Sequence, residues 1–102
     1  LVIAGQTAVD ATGAVQHPGD MRAQLSLALD NLETVLAAAD MTLASLTRLT
    51  IHATDMDAAL QNFDLLSRRL GPVGAAPPMT LLGTTRLALP DLMIELQADA
   101  AA

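Results

Sequence analysis

Asp20-Met21-Arg22-Ala23-Gln24-Leu25-Ser26-Leu27-Ala28-Leu29-Asp30-Asn31-Leu32-Glu33-Thr34-Val35-Leu36-Ala37-Ala38-Ala39 carries the longest periodic signal in the chain. Met21, Leu25, Ala28, Leu29, Leu32, Val35, Leu36 and Ala39 fall at i, i+4, i+7, i+8, i+11, i+14, i+15 and i+18. That is one apolar stripe held along a helix. Arg22, Ser26, Asp30, Glu33 and Thr34 lie off it. Pro18-Gly19 punctuates the chain just before, and Asp20 has the side chain of a good N-cap. The spacing predicts a helix over 20–39.

Outward from this helix the period changes. Before it, Leu1 to Val9 reads as a strand, Asp10-Ala11-Thr12-Gly13 as a turn, and Ala14 to His17 as a continuation of a hairpin. After it, Leu49, Ile51 and Ala53 alternate with Arg48, Thr50, His52 and Thr54, as in a strand with two unlike faces. Asp55-Met56-Asp57 ends that strand. Asp57 can cap a second helix with the stripe Ala59, Phe63, Leu66 and Leu70. Arg68 and Arg69 suit its C-terminal dipole, and Gly71 suits the position after its end. Residues 71–78 are a Gly/Pro-rich connection placed to line a site. Two strands close the chain, Met79 to Leu89 and Leu92 to Ala100, with Pro90-Asp91 turning between them. The order β(β)–α–β–α–β–β predicts a single α+β domain over 1–102 with both helices on one sheet face. The other face mixes Thr, His and Arg with apolar residues, and predicts burial against identical subunits.

Composition removes several classes of function. The 102 residues are 52% hydrophobic and 16% charged, the balance of a folding chain and not of a disordered one. Net charge is −6, from five arginines, no lysine and eleven acids. That argues against phosphate-backbone binding and against docking on anionic lipid, so neither nucleic acid nor membrane is expected as a partner. Without Lys there is no side-chain Schiff base, and without Cys no thiolate, disulfide or cysteine metal site. The lack of Cys fits a cytoplasmic location. Phe63 is the single aromatic, so no base-stacking platform exists.

Candidate chemistry is sparse. No nucleophile elbow, P-loop or dinucleotide fingerprint occurs. His17 and His52 are the only imidazoles and form no helical pair, so no metal site is expected. His17 reads as a loop residue and His52 as a sheet-face residue, with a pocket role for His52 as the alternative. Asp55 and Asp57 lack the Gly and the later Glu of a calcium loop and read as helix caps. Glu95 and Gln97 share one face of the last strand. On the hairpin reading Arg86 could pair with Glu95, either as a structural salt bridge or as an anion-binding or acid–base pair.

A set of ordered segments resembles the Rid (reactive intermediate deaminase) family, also called YjgF-like or L-PSP endoribonuclease-like. The matching residues are Gly5-Gln6, Val9-Asp10-Ala11-Thr12-Gly13, Ala23-Gln24, Ala28-Leu29-Asp30-Asn31-Leu32 and Val35-Leu36-Ala37-Ala38-Ala39. They continue with Thr54-Asp55-Met56, Ala76-Pro77, Thr80, Arg86-Leu87 and Ile94-Glu95. The resemblance implies a chorismate-mutase-like α+β fold and a homotrimer with a central barrel, helices outside and three intersubunit clefts. It also implies that Leu1 lies inside the domain, after a strand that usually precedes it. The associated activity is hydrolysis of enamines and imines without a cofactor. An Arg after the Pro-rich loop holds the substrate carboxylate, and a Glu on the last strand positions or activates water.

This sequence departs at those positions. The pattern Pro-x-Arg-Ser reads Pro77-Pro78-Met79-Thr80, the second of two glutamates reads Gln97, and the Ser before Gly-Gln reads Ala4. Met cannot form a charge-assisted fork, and Gln can hold a water but is a poor base. The resemblance therefore implies no retained catalytic residue, with Gln97 at the Glu position. It implies a cleft lined by Ala4, Gly5, Met79, Thr80, Leu81 and Gln97 that binds a small metabolite, with imine deamination reduced or absent. Two alternatives stand beside this reading. One is a residual deaminase of altered specificity using Arg48 or Arg86 as anchor. The other is a non-catalytic trimeric interaction module. The acidic charge and lack of aromatics oppose the family's endoribonuclease label.

Overall fold

Asp20 caps the long helix as its position suggests, accepting a hydrogen bond from the Ala23 backbone N–H at 3.0 Å. In the computed structural model, which describes residues 1–102, helix α1 spans Met21–Ala38. Its stripe is buried at Met21, Leu25, Ala28, Leu29, Leu32 and Leu36. Burying each of these leucines contributes about 1.5–3 kcal/mol. Val35 lies at the stripe's edge, and Ala39 is the exposed C-cap, beyond which Asp40 takes a left-handed φ of 57°.

The helix lies on a four-stranded sheet. Strand β1 is Val2–Thr7, β2 is Leu46–Ala53, β3 is Met79–Gly83 and β4 is Ile94–Ala100. Their order across the sheet is β1-β4-β2-β3. β4 runs antiparallel to both neighbours, and β2 and β3 are parallel. One face carries Ile3, Leu49, Ile51, Ala53, Ile94, Leu96 and Ala98 into the core under the helices. The result is the α+β, chorismate-mutase-like arrangement with helices on one side of a mixed sheet.

The predicted final hairpin is overturned. β3 ends at Gly83, residues 84–93 are irregular, and β2 separates β3 from β4. Alternation along Met79–Leu89 marked a strand but could not name its partner. Because the intervening helices carry the chain back along the sheet, β3 lies parallel to β2, a connection that needs such a crossover. Arg86 therefore has no strand pairing with Glu95. The early hairpin shrinks to one bridge between Val9 and Val15.

The second helix begins two residues earlier than predicted and is broken. Asp55, not Asp57, is the cap, accepting from Ala58 N at 3.0 Å, and α2 spans Met56–Gln61. α3 then spans Asp64–Leu70. Asn62 causes the break: its Nδ2 donates to the Ala58 carbonyl at 2.8 Å, competing with the backbone ladder. The backbone crosses this point on i→i−3 bonds, from Phe63 N to Leu60 O and from Leu66 N to Phe63 O. Gly71 keeps a right-handed conformation and continues into a short 3-10 turn, and Gly74 supplies the left-handed turn at φ 68° instead.

One polar residue sits in the apolar stripe. Gln24 is fully buried. Its Nε2 donates to the carbonyls of Gln16 (3.2 Å), His17 (3.3 Å) and Asp91 (2.9 Å), and its Oε1 accepts from Met93 N at 2.8 Å. Asn31 acts similarly one face away, donating to the carbonyls of Thr7 and Val9 at 2.8 and 3.0 Å. The two amides tie α1 to the loops that enter and leave the strands bearing the candidate site.

Candidate functional site

The sheet face opposite the helices is uncovered in the single chain. Strand alternation places Arg48, Thr50 and His52 of β2 beside Asp99, Gln97 and Glu95 of β4. Thr80 and Leu82 of β3 extend the rows beside Thr50 and His52. On the other flank β1 carries a bulge. Between the pairs Ile3–Ala98 and Gln6–Leu96, both Ala4 and Gly5 oppose Gln97 alone.

The bulge explains the glycine of the Gly5-Gln6 pair. The Glu95 side chain lies against the Gly5 backbone. A Cβ at position 5 would stand 2.8 Å from Glu95 Cγ and closer still to its carboxylate, a contact no real side chain makes. Glu95 is half-buried there and forms no hydrogen bond or ion pair within the chain. Its neighbour Gln97 is engaged: His52 Nε2 donates to Gln97 Oε1 at 3.0 Å. This bond fixes the amide with its NH2 group free to meet a ligand or water.

Ala4, Thr50, Arg48, Gln97 and Asp99 line one hollow of about 450 Å³ on this face. Arg48 and Asp99 stand opposite each other in register without closing an ion pair. Met79 belongs elsewhere. It pairs in register with Leu49, so it shares the helix-side face, and it is 49% exposed. There it closes an apolar groove of about 420 Å³ with Phe63, Leu66, Leu70, Ala75 and Pro77. Leu81 also points to the helix side, packed against the core.

The six expected ligand residues thus fall into two groups. Ala4, Gly5, Gln97 and Thr80 lie along the open face, and Met79 and Leu81 lie at the β3 edge on the other side. Gly5 and Met79 are three strand spacings apart, about 14 Å. No site within one chain contains both groups. Sequence reasoning did not find the Glu95–Gly5 contact or the His52–Gln97 bond. Their signal was present in the alternation, which put His52, Glu95 and Gln97 on one face, but strand order was needed to bring them together.

The remaining charges are mostly satisfied. Arg22 forks onto Asp64 at 2.8 and 2.9 Å, and Arg68 approaches the same carboxylate at 3.3 Å. The Arg22 hydrogen bond holds the Asp64 carboxyl below its ordinary pKa, and Asp64 raises that of Arg22. Asp10 is likewise lowered, by Thr12 and the backbone of its own turn. Arg69 meets Asp30 at 2.9 Å and Glu33 at 3.2 Å. Those three residues line the largest groove, about 570 Å³, on the helical side and away from the sheet face. No three His, Asp or Glu side chains converge as a metal site would require, and no helix is long and apolar enough to cross a membrane.

Helices on one side of a mixed sheet, with a glycine bulge under a last-strand carboxylate, define a Rid-type domain. The endoribonuclease L-PSP family model matches residues 1–102, and the chain belongs to that family. It is similar to YyfB of Yersinia pestis, a protein of unknown function of the conserved Rid protein family. Identity is 34% and the TM-score 0.87, over 100% of this chain and 77% of that one. It also resembles Rv2704 of Mycobacterium tuberculosis, a member of the YjgF/YER057c/UK114 family (29% identity, TM-score 0.83, 99% and 77% coverage). E. coli TdcF, solved with bound serine, shares the fold at 23% identity and TM-score 0.85, over 97% of this chain and 77% of its own. No match was found among curated proteins.

Proposed function

We propose that this chain is the protomer of a homotrimer whose clefts between neighbouring protomers bind a small metabolite of low polarity. In this reading imine and enamine hydrolysis is reduced or lost relative to family members with Arg and Glu at the positions of Met79 and Gln97. The observation that carries it is the separation of the two groups of site residues. Gly5 lies about 14 Å from Met79, and both Gly5 and Gln97 lie on the other face, so a site using both groups draws them from two copies. The uncovered face, with Val2 and Leu82 exposed on it, supports burial against such copies.

The chemistry follows from the side chains. Imine hydrolysis adds water across C=N and releases a carbonyl and ammonia, so a proton must leave the water and reach nitrogen. Gln97 can orient that water but cannot take its proton. Met79 offers a substrate carboxylate no charge-assisted bond, and the groove behind it is apolar. Arg48 shares the hollow with Gln97, but Asp99 across from it offsets its charge. Arg86 lies on the irregular segment after β3 and faces no site residue in register. Neither makes a ready substitute anchor.

The test is imine turnover. 2-Iminopropanoate is generated in situ, and its loss is followed with and without protein. Little acceleration is expected from the wild type, and a clear gain from the double variant Met79→Arg, Gln97→Glu. A wild-type rate that the double substitution does not raise would sink the reading.

A further inference from the structure

We propose that Met79 is a reversible oxidation site, and that conversion of its thioether to the sulfoxide by a hydroperoxide switches the groove beside β3 from apolar to polar. The proposal rests on the cleft reading above and adds a control on that same site. Three observations lead there.

The first is what the chain offers an oxidant. Sulfur is the side-chain atom that hydroperoxides oxidise most readily. Cysteine is absent, so the five methionines hold all the sulfur. Four of them are shielded. Met21 is 4% exposed in the α1 stripe, Met41 and Met93 pack against the core, and Met56 is half-buried with its methyl near Gly83. Met79 alone is exposed.

The second is its position. Met79 opens the edge strand β3, which has a neighbour on one side only. Its side chain closes the apolar groove against Phe63, Leu66 and Leu70. A groove that admits a small metabolite admits hydrogen peroxide, which is smaller. The sulfur lone pair attacks one peroxide oxygen and the O–O bond breaks. That oxygen stays on sulfur, its proton passes to the departing hydroxide, and water leaves. Sulfur is oxidised by two electrons and the peroxide reduced by two. A thiol-dependent reductase returns the thioether, and the oxygen departs as water.

The third is that the groove has little to offer a sulfoxide. Its apolar side chains carry no donor, and Pro77 and Pro78 have no backbone N–H. Ser67 on the rim supplies the single hydroxyl. A polar oxygen without a partner is costly to keep against an apolar wall, so the oxidised side chain turns out to water. The groove then loses the flexible thioether that closes it, and an apolar ligand loses that contact.

The experiment uses the full chain with ¹³C-methyl methionine, treated with dilute hydrogen peroxide and followed by NMR. Conversion to the sulfoxide moves each methyl resonance separately. Met79 is expected to oxidise at least tenfold faster than Met21, Met41, Met56 or Met93. n-Pentanol, an uncharged probe of low polarity, is then titrated while amide shifts around the groove are read. The reduced chain should bind it saturably and the oxidised chain at least tenfold more weakly. The two epimer-specific methionine sulfoxide reductases, with dithiothreitol, should restore binding. In Met79→Leu, which has no sulfur at this place, pentanol binding should be the same before and after peroxide. Met79→Gln, which carries a polar oxygen there permanently, should bind at least tenfold more weakly than the reduced wild type. Oxidation of another methionine first, or unchanged pentanol binding once Met79 is oxidised, would overturn the switch and leave the cleft reading in place. A reduced chain with no saturable pentanol shift drops the low-polarity cleft and the switch together.

Discussion

Replacing Gln24 with Met, which nearly keeps its volume, isolates the four hydrogen bonds made by one buried amide. The two shortest, to Asp91 O at 2.9 Å and from Met93 N at 2.8 Å, each contribute about 1 kcal/mol net. Their loss also leaves the Met93 N–H without a partner under the loop, at about 1–3 kcal/mol. The longer contacts to Gln16 and His17 share the same two amide hydrogens and add less. Greater apolar burial by Met recovers a little, so the expected loss is about 3 kcal/mol. At about 4–8 °C per kcal/mol for a domain of this size, Tm should fall by about 12–24 °C. Tryptophan and tyrosine are absent, so far-UV circular dichroism is the assay. It must be run at one protein concentration, because association shifts Tm. A fall under about 4 °C would refute the claim that this amide holds the loops at 16–17 and 91–93 onto α1.

Acid should act mainly through Asp64 and Asp10, both held below the ordinary carboxyl range. A carboxyl depressed in the folded state contributes stability above its unfolded pKa, and that stability is lost as pH falls through the folded value. The loss should therefore appear below about pH 4. Asp64→Asn should shrink the difference in Tm between pH 6 and pH 3, and an unchanged acid limb would count against the Arg22 fork as its source. Leu32→Ala, at a fully buried point of the α1 stripe, should cost about 2–5 kcal/mol in urea unfolding. A cost below about 1 kcal/mol would mean that the helix does not seat as described.

Much of the fold was legible because period is a local property. The stripe from Met21 to Leu36 and the alternation from Leu49 to Ala53 each name a structure without reference to anything distant. Pairing is not local. The residues of β3 read as a strand, but nothing in Met79–Gly83 says that its neighbour is β2 and not β4. The break at Asn62 was hidden because a side-chain bond to Ala58 O overrides an otherwise helical pattern. At the site, Gln97 and Met79 were visible as departures from a family pattern. The reason for Gly5 was not, since it depends on a bulge that only pairing creates.

The place of β4 in the sheet has a consequence for how the domain is made. The last strand in sequence is an inner one, bonded to β1 on one side and β2 on the other. During vectorial synthesis β1 emerges long before its partner β4, residues 94–100, clears the ribosome. Its partner arrives some ninety residues later, as the register of Val2 with Asp99 shows. Such distant pairing raises contact order and slows folding, and it keeps the apolar edges of β1 and β2 available to other chains meanwhile. α1 can form early from local contacts, but the sheet beneath it closes in a single late event. The link between β1 and β2 should therefore form late, when β4 slides between the two strands already waiting.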